Sequence, residues 1–430
     1  MSDSSDGSPG ARLQRHLPIL AGLVTALVLG TYFHRHHRGP PFAEDEGAVY
    51  YSTSYFRVAF LEWDPRSPEW ARTDAIDHPP AWKYAYGLLL TVLGRPLPGD
   101  GSKEAWNRGM TAAQRDGTSA AYLARTLDAA DLMPSRLFAL ACVLVGLFLF
   151  AAVAGRATTP LIASLALLLA AFQGVIRWVS GRALIDPLLL LFIAGSILLT
   201  ERWLVRGPGR GRLAVPWALG LGVLLGVLGN TKITGVVGIG GVVLALVLWR
   251  WRAQRSAELA AQGHRRALAS LAVVVGTAVV VGIAINPTLW SDPIGMAWKM
   301  VDYRAHALEV QMRFDDPAHF VSPQEGLRRF MVQTLLRPDP LWLAASVPIV
   351  APMVVGGAFC FLARAETTAK NPAWAAITAH FAVWLPTTAL TYRMDWPRYT
   401  LPVIPFFLLF FSLALIQAAA WVRARAKGRG

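Results

Sequence analysis

The chain has 430 residues, of which 54% are hydrophobic and only 16% are charged, and its mean hydropathy is +0.41. This composition excludes an ordinary soluble protein and indicates an all-α polytopic membrane protein. The formal net charge of +14 comes from arginines and lysines placed between apolar runs. Such a pattern reflects membrane topology and gives no support to nucleic-acid binding.

Ten apolar stretches approach the roughly 20 residues that a helix needs to cross a bilayer. We predict spans at residues 17–33, 136–153, 160–176, 187–204, 215–228, 233–249, 267–285, 341–362, 374–390 and 401–422. Tryptophans lie close to many of these ends, where an indole prefers the membrane interface. The sequence therefore predicts a transmembrane domain over residues 17–422, with tails at residues 1–16 and 423–430.

The short connections at residues 201–212 and 250–266 carry four and five arginines. Because basic loops stay on the cytoplasmic side, we expect both termini to be cytoplasmic in a multi-pass protein of the inner (plasma) membrane. The long loops at residues 34–135 and 286–340 are then extracytoplasmic. Both contain patches with aromatic faces, at residues 81–93 and 293–312, which are typical of helices lying on the bilayer surface.

The first long loop carries the acidic run Glu44-Asp45-Glu46 and, further on, Asp77-His78 before two prolines. The simplest interpretation of the run is a solvated acidic turn. The functional interpretation is a general base near the bilayer surface, with its proton affinity raised by neighbouring carboxylates. Three histidines after the first span, at residues 34, 36 and 37, are a poor zinc site and better fit a basic interfacial stretch.

Cations recur at the outer ends of the predicted spans, at Arg136, Arg182, Lys232 and Arg398. Spans five and six are short, so their tip at Lys232 should lie below the outer surface, where a lysine is costly without an anionic partner. Snorkelling is the alternative explanation for Arg136 and Lys232. Asp186 precedes Pro187 and is also explained as a helix N-cap.

Cations at this depth suit a lipid phosphate whose tail lies between helices. A carboxylate opposite them can accept the proton of an incoming hydroxyl while the cations stabilise the departing phosphate. The two charge clusters together indicate transfer of a group from a lipid phosphate to an alcohol.

These motifs, in this order, resemble those of the GT-C glycosyltransferases of the protein O-mannosyltransferase and aminoarabinose transferase type. The elements that carry the resemblance are Asp45-Glu46, His78-Pro79-Pro80, Arg136, Arg182 to Asp186, Gly229 to Lys232, and Arg398-Tyr399 followed by Pro402 and Pro405. The similarity covers most of the first 290 residues and is weaker afterwards.

The resemblance implies an enzyme that moves a hexosyl or pentosyl group from a polyprenyl-phosphate donor to a hydroxyl of a protein, lipid or glycan acceptor. It implies catalytic roles for Asp45, Glu46 and Asp186, and phosphate contacts for Arg136 and Lys232. Substrate contacts are expected from Asp77, His78, Arg182, Arg398 and Tyr399. Aminoarabinose transferases carry a lysine at the position of His78.

With one apparent base and no second nucleophilic carboxylate, we expect inversion at the anomeric carbon. No cofactor is required by the sequence, although Asp45, Glu46 and Asp77 supply oxygen ligands for a divalent cation. Two other classes of function stay open. One is a transporter or flippase for a lipid-linked or anionic substrate, and the other is a structural subunit that needs neither acids nor cations.

Overall fold

A computed structural model describes residues 9–37, 44–99, 101–208, 214–253, 260–314, 347–363, 371–391 and 397–427. Within these ranges the chain is helical and contains no β-strand. The protein is therefore an all-α polytopic membrane protein, as the sequence predicts. The start of the eighth predicted span, the second half of the second long loop and both extreme ends of the chain lie outside the described residues.

The first helix is followed by a group of short helices that forms the first long loop. In chain order these helices are α1 (Pro9–His36), α2 (Glu44–Ser52), α3 (Ser54–Phe56), a π-helical turn (Arg57–Leu61), a 3-10 turn (Pro68–Ala71), α4 (Thr73–Asp77), α5 (Ala81–Val92), α6 (Ser102–Arg115) and α7 (Ser119–Thr126).

The helical bundle follows. Its elements are α8 (Ala129–Ala157), α9 (Pro160–Phe172), α10 (Gly174–Ser180), α11 (Asp186–Arg206), α12 (Ala214–Gly229), a 3-10 turn (Ile233–Val236), α13 (Val237–Ala253), α14 (Ala260–Ala284), a 3-10 turn (Pro287–Leu289), α15 (Pro293–Phe314), α16 (Val347–Ala363), α17 (Pro372–Thr391), a 3-10 turn (Pro397–Thr400) and α18 (Ile404–Lys427).

Six described helical segments are long and apolar enough to cross a membrane: His16–His36, Ala129–Ala157, Asp186–Arg206, Ile233–Trp251, Arg265–Ala284 and Ile404–Lys427. Shorter apolar helices lie at Pro160–Phe172, Ala214–Gly229 and Pro352–Ala363. Helices thus occupy all ten predicted positions, although several are shorter than a full crossing.

Two helices have ends that differ from those of the predicted spans. The span predicted at residues 160–176 is interrupted at Gln173, whose extended backbone ends α9 and whose side chain caps α10 by accepting a hydrogen bond from the Ile176 amide (2.8 Å). The helix that contains the second predicted span begins at Ala129, seven residues before Arg136, because Asp128 caps it by accepting a hydrogen bond from the Ala130 amide (2.8 Å). Arg136 consequently lies two turns inside α8.

The bundle is packed around an apolar core in which α8 contacts α11, α12 contacts α14, and α13 contacts α17. The close approach of α12 to α14 requires Gly222 and Gly226, because a Cβ at Gly222 would lie 2.6 Å from the Val274 carbonyl oxygen and one at Gly226 would lie 2.8 Å from that of Ala278. Small residues four apart permit such contacts between membrane helices.

One face of the bundle gathers the end of α1, the starts of α8, α11 and α18, and the end of α12. The short helices of the first loop and the helix α15 cover this face. Pro9 and Lys427, at the far ends of α1 and α18, consequently lie on the opposite face.

Candidate active site

A polar cavity of about 290 Å³ lies under the loop helices on this face. Helices α2, α6, α11 and α15, the segment before α5, the turn after α12 and the 3-10 turn before α18 all contribute to its walls. The charged and titratable side chains that line it are those of Asp45, Asp77, His78, Lys103, Asp186, Lys232, Tyr303, Arg304, Arg398 and Tyr399. Seven of the ten predicted site residues therefore meet in one cavity.

One wall of the cavity carries a network of four charges. Arg398 donates a hydrogen bond to Asp45 through Nη1, and its Nε lies 4.0 Å from Oδ2 of Asp186. The ammonium of Lys232 donates to Oδ1 of Asp186 (3.3 Å) and stands 4.4 Å from the ring centroid of Tyr399. Two cations and two carboxylates from four distant segments of the chain thus form one connected group.

Asp45 is the most accessible carboxylate of this network, with 46% of its side chain exposed, whereas Asp186 is 6% exposed. Burial of the carboxyl would by itself raise the pKa of Asp45, but the charge and hydrogen bond of Arg398 outweigh it and lower the pKa below its usual value. Asp45 is therefore ionised at neutral pH, and Arg398 holds its proton affinity low.

A second set of contacts surrounds Asp77, which also lines the cavity. Arg304 of α15 lies 3.2 Å from Oδ1 of Asp77, and Nε2 of His78 lies 3.2 Å from Oδ2. Burial lowers the pKa of His78 to about 4, an effect that Asp77 opposes and Arg304 reinforces. His78 is therefore a neutral hydrogen-bonding group at neutral pH and not a cation.

Charges within the described lining of the cavity do not cancel. Asp45, Asp77 and Asp186 are three carboxylates, whereas Lys103, Lys232, Arg304 and Arg398 are four cations, and His78 is neutral. The lining therefore carries an excess of one positive charge, which suits a ligand with one negative charge.

Glu46 and Arg136, two further predicted site residues, form a separate buried ion pair. Nε and Nη2 of Arg136 each donate a hydrogen bond of 2.7 Å to Glu46, and Nη1 donates to the carbonyl of His37 (2.9 Å). The Ala183 amide also donates to Glu46 (3.0 Å). Glu46 thereby ties α2 to α8 and to the segment before α11.

Arg182, the remaining predicted site residue, stacks on Trp178 with 4.5 Å between its guanidinium carbon and the ring centroid. Lys103 and Asn107 of α6 and Tyr303 and Arg304 of α15 line the cavity but are not singled out by the sequence. The available signal for α15 is the predicted surface helix at residues 293–312, which includes Tyr303 and Arg304.

The carboxylates predicted for a divalent cation do not converge. Asp45 is held by Arg398, Asp77 by Arg304 and Glu46 by Arg136. Within the described ranges no three side chains of His, Cys, Asp and Glu are grouped to bind a metal. These residues do not fit a divalent cation, because each predicted ligand already faces an arginine.

A second, apolar cavity of about 640 Å³ adjoins the polar one. It lies between α12, α13, α14 and α15, and we call it the apolar groove. Three short segments line both cavities. Pro79 faces the groove next to His78 in the polar cavity, Asn230 and Ile233 flank Lys232 in the same way, and Val301 of α15 precedes Arg304.

The turn that carries Lys232 is fixed from two sides. The side chain of Asn230 donates to the carbonyls of Gly226 and Gly282, both at 3.0 Å. The backbone carbonyl of Asn230 accepts a hydrogen bond from the Ala81 amide (2.9 Å) at the start of α5. These contacts hold Lys232 at the boundary between the two cavities.

No known protein family and no curated protein matches this sequence. Several solved structures share its fold. The oligosaccharyltransferase of Archaeoglobus fulgidus in its apo form superposes with a TM-score of 0.52 at 11% identity, over 97% of this chain and 52% of that one.

ArnT from Cupriavidus metallidurans bound to undecaprenyl phosphate gives a TM-score of 0.50 at 15% identity, over 91% of this chain and 59% of that one. The archaeal oligosaccharyltransferase AglB from A. fulgidus, in complex with an inhibitory peptide and a dolichol-phosphate, gives 0.51 at 11% identity, over 96% and 52%. The chain thus spans between half and three fifths of the length of these structures. The chain therefore shares the fold of these oligosaccharyltransferase and ArnT structures, as the resemblance in its sequence predicts.

Proposed function

We propose that the protein is a membrane glycosyltransferase that moves a sugar from a polyprenyl-phosphate donor to a hydroxyl acceptor in the polar cavity. The observation that carries this proposal is the meeting of Asp45 with Lys232 and Arg398 in one cavity beside the apolar groove. The structures that share the fold include one bound to undecaprenyl phosphate and one bound to a dolichol-phosphate. We therefore propose that the donor is a lipid-linked sugar.

The donor is divided between the two cavities. Its polyprenyl chain lies in the apolar groove, and its phosphate crosses the Asn230–Ile233 turn to meet Lys232 and Arg398. A sugar phosphodiester carries one negative charge, which balances the single excess positive charge of the lining. Arg136 has no such role in this proposal, because Glu46 and the His37 carbonyl already occupy its guanidinium.

The reaction needs one base and a stabilised leaving group. Asp45 accepts the proton of the acceptor hydroxyl while that oxygen attacks the anomeric carbon and the bond from this carbon to the phosphate oxygen breaks. The bonding electrons leave with the polyprenyl phosphate, whose second negative charge is stabilised by Lys232 and Arg398. A single displacement of this kind inverts the anomeric configuration.

The ion pair between Asp45 and Arg398 sets the order of donor binding and proton transfer. While Arg398 contacts Asp45, the carboxylate is a weak base because its pKa is lowered. Binding of the donor phosphate draws part of the Arg398 charge away from Asp45, so the proton affinity of the base rises only when the donor is in place. Asp186 keeps Lys232 oriented throughout.

The active site lies on the extracytoplasmic side of the membrane in this proposal. Both ends of the described chain lie opposite the cavity, and on the same side of the bundle lie the end of α11 with Arg202 and Arg206, the end of α13 with Arg250, and the start of α14 with Arg265 and Arg266. The positive-inside bias assigns the arginine-rich side to the cytoplasm. The cavity, and the active site within it, then faces the outer side of the inner (plasma) membrane.

The test is a transfer assay with the purified protein in lipid nanodiscs. A panel of polyprenyl-phosphate sugars is offered with hydroxyl acceptors from the cell envelope, and products are identified by mass spectrometry and by NMR of the anomeric carbon. We expect release of polyprenyl phosphate, an inverted product, and loss of both in Asp45→Asn but not in the matched loop variant Glu62→Gln. Movement of intact donor across the bilayer without cleavage would instead identify a flippase, and a product with retained configuration would exclude the single displacement.

A further inference from the structure

His78 lines the polar cavity and is held there by its neighbours. Its Nε2 lies 3.2 Å from Oδ2 of Asp77, and the other oxygen of that carboxylate lies 3.2 Å from Nη1 of Arg304. The imidazole also meets the ring of Trp82 edge to face, with 6.2 Å between the centroids. Asp77 and Trp82 therefore restrain the imidazole, while 36% of the His78 side chain stays exposed.

The contact with Asp77 decides which nitrogen of His78 carries the hydrogen. Burial lowers the pKa of His78 to about 4, so at neutral pH the ring is uncharged and carries one hydrogen. An unprotonated Nε2 would direct its lone pair at a carboxylate oxygen only 3.2 Å away. We therefore assign the hydrogen to Nε2, which makes Nδ1 a hydrogen-bond acceptor. Nδ1 is accessible and accepts no hydrogen bond from the described residues.

An acceptor at this position selects the kind of group that it can bind. A phosphodiester and a carboxylate carry no hydrogen at neutral pH, so neither can donate to Nδ1. An ammonium could donate, but the charges of Arg304, Lys83 and Lys103 all act on His78 and would repel a further cation. The matching partner is an uncharged group with a hydrogen to donate, and a sugar offers several such groups as hydroxyls.

The segment that carries His78 borders the place proposed for the donor phosphate. Pro79, the next residue, lines the apolar groove together with Asn230, and the Ala81 amide donates to the carbonyl of Asn230 (2.9 Å). Asn230 precedes Lys232 by two residues, so this segment lies against the turn that carries the ammonium. Because the sugar of the donor is joined directly to the phosphate, its hydroxyls come within reach of His78.

We propose that Nδ1 of His78 accepts a hydrogen bond from an uncharged hydroxyl of the transferred sugar, with Asp77 and Arg304 as positioning residues. The inference rests on the proposed function and divides recognition of the donor in two. The cations Lys232 and Arg398 bind the phosphate, and His78 binds the sugar. The protein then distinguishes the loaded donor from the polyprenyl phosphate that is left after transfer, because the bare carrier has no hydroxyl for His78.

Equilibrium binding to the protein in lipid nanodiscs tests this division. The probes are undecaprenyl phosphate and its phosphodiesters with mannose and with glucose. We expect His78→Leu to weaken binding of the tighter sugar-linked probe by about fivefold to tenfold, which is the effect of one lost hydrogen bond. The same variant should leave binding of undecaprenyl phosphate unchanged, since that probe has no sugar.

His78→Asn is the matched variant, because asparagine has nearly the shape of leucine but carries an amide oxygen that can accept the same hydrogen bond. It should recover most of the affinity that His78→Leu loses for the sugar-linked probe. Lys232→Met is the complementary control and should weaken all the probes alike, because each contains the phosphate. A purely structural role of His78 would affect every probe equally and would give no selective recovery in the asparagine variant.

The assignment is wrong if His78→Leu weakens the bare and the sugar-linked probes equally, or if it weakens neither. In both cases Lys232→Met still reports on the phosphate site, so the proposed function is judged separately. If the wild type binds none of the probes, the proposed function fails and this inference fails with it. Thermal unfolding shows whether each variant folds. If His78→Leu does not fold, His78→Ala should show the same selective loss of the sugar-linked probe.

Discussion

Asp45 and Glu46 are adjacent acids on α2, and the structure gives them opposite surroundings. Glu46 is completely buried and bound through both oxygens to Arg136. Asp45 has nearly half of its side chain exposed in the polar cavity, where Arg398 is its partner. Successive residues of a helix point about 100° apart, so one turn of α2 directs one carboxylate into the bundle and the next into the cavity.

The different surroundings suit the two acids to different roles, Glu46 to holding the fold and Asp45 to proton transfer. A buried carboxylate with three hydrogen bonds from Arg136 and Ala183 cannot take up an acceptor proton without breaking the bonds that hold α2. Asp45, which is half exposed in the cavity and paired with Arg398, can take up a proton without breaking the contacts that hold α2. We therefore propose Asp45 as the base and Glu46 as the residue that positions it.

The largest expected effect comes from breaking the buried pair. Glu46→Ala leaves Arg136 as a buried charge without its carboxylate, which should lower the free energy of unfolding by about 3–5 kcal/mol. Thermal unfolding in detergent measures the loss. Glu62→Gln removes the exposed pair with Arg57 and should cost less than about 1 kcal/mol. Equal effects of the two variants would remove the distinction between a supporting and an exposed acid.

Asp45→Asn should lower activity strongly and stability little. Loss of a general base lowers the rate of sugar transfer by about a hundredfold or more, while the unfolding temperature stays close to that of the wild type. Single-turnover transfer with saturating donor gives the rate, and equilibrium donor binding shows whether the cavity is intact. Full activity in Asp45→Asn would disprove its role as the base.

The cation at the cavity boundary should affect donor binding more than folding. Lys232→Met removes the ammonium that we place at the donor phosphate, and we expect the KM for donor to rise about tenfold. Lys299→Met, on the exposed side of α15, is the matched lysine control. The same rise in both variants would show that the lysine acts through overall charge.

The smallest effect concerns pH. In the free protein Arg398 lowers the pKa of Asp45, so the carboxylate and its ion pair persist until the pH falls below the usual carboxyl range. The acid limb of kcat/KM, which reports the free enzyme, should therefore lie at lower pH than the acid limb of kcat, which reports the donor complex. Arg398→Gln should move the limb of kcat/KM to higher pH. Coincident limbs in the wild type would mean that Arg398 stays on Asp45 when the donor binds.

Much of the fold follows from the sequence, since apolar runs ending in tryptophan place helices at ten positions. The same pattern places Lys232 and Arg398 at one membrane level, facing the loop that carries Asp45, because both cations lie at the outer ends of predicted spans. The partner of Arg136 could not be predicted, since Glu46 lies 90 residues away and both side chains fit a surface role equally well. The break at Gln173 was also hidden, because a glutamine cap within an apolar run carries no strong local signal.

The positions of Lys103 and Arg304 depend on how the loop helices fold back over the bundle. Neither α6 nor α15 has an apolar run that fixes its place relative to the spans, and Arg304 meets Asp77 across 227 residues of sequence. Such long-range docking is set by the complete assembly of packed surfaces. The sequence therefore indicates that α15 lies at the membrane surface, but not that it faces Asp77.

The Asn230–Ile233 turn separates the two cavities and is anchored by Asn230 to both α5 and α14. In the proposed complex, a carrier lipid that is too bulky in its first isoprene unit would press against this turn and displace the ammonium of Lys232, which lies within it. If the donor binds as proposed, the protein selects the shape of the carrier at the same turn that positions Lys232 at the phosphate. In the proposed enzyme, the position of this turn therefore decides both whether the tail fits and whether Lys232 is placed for the reaction.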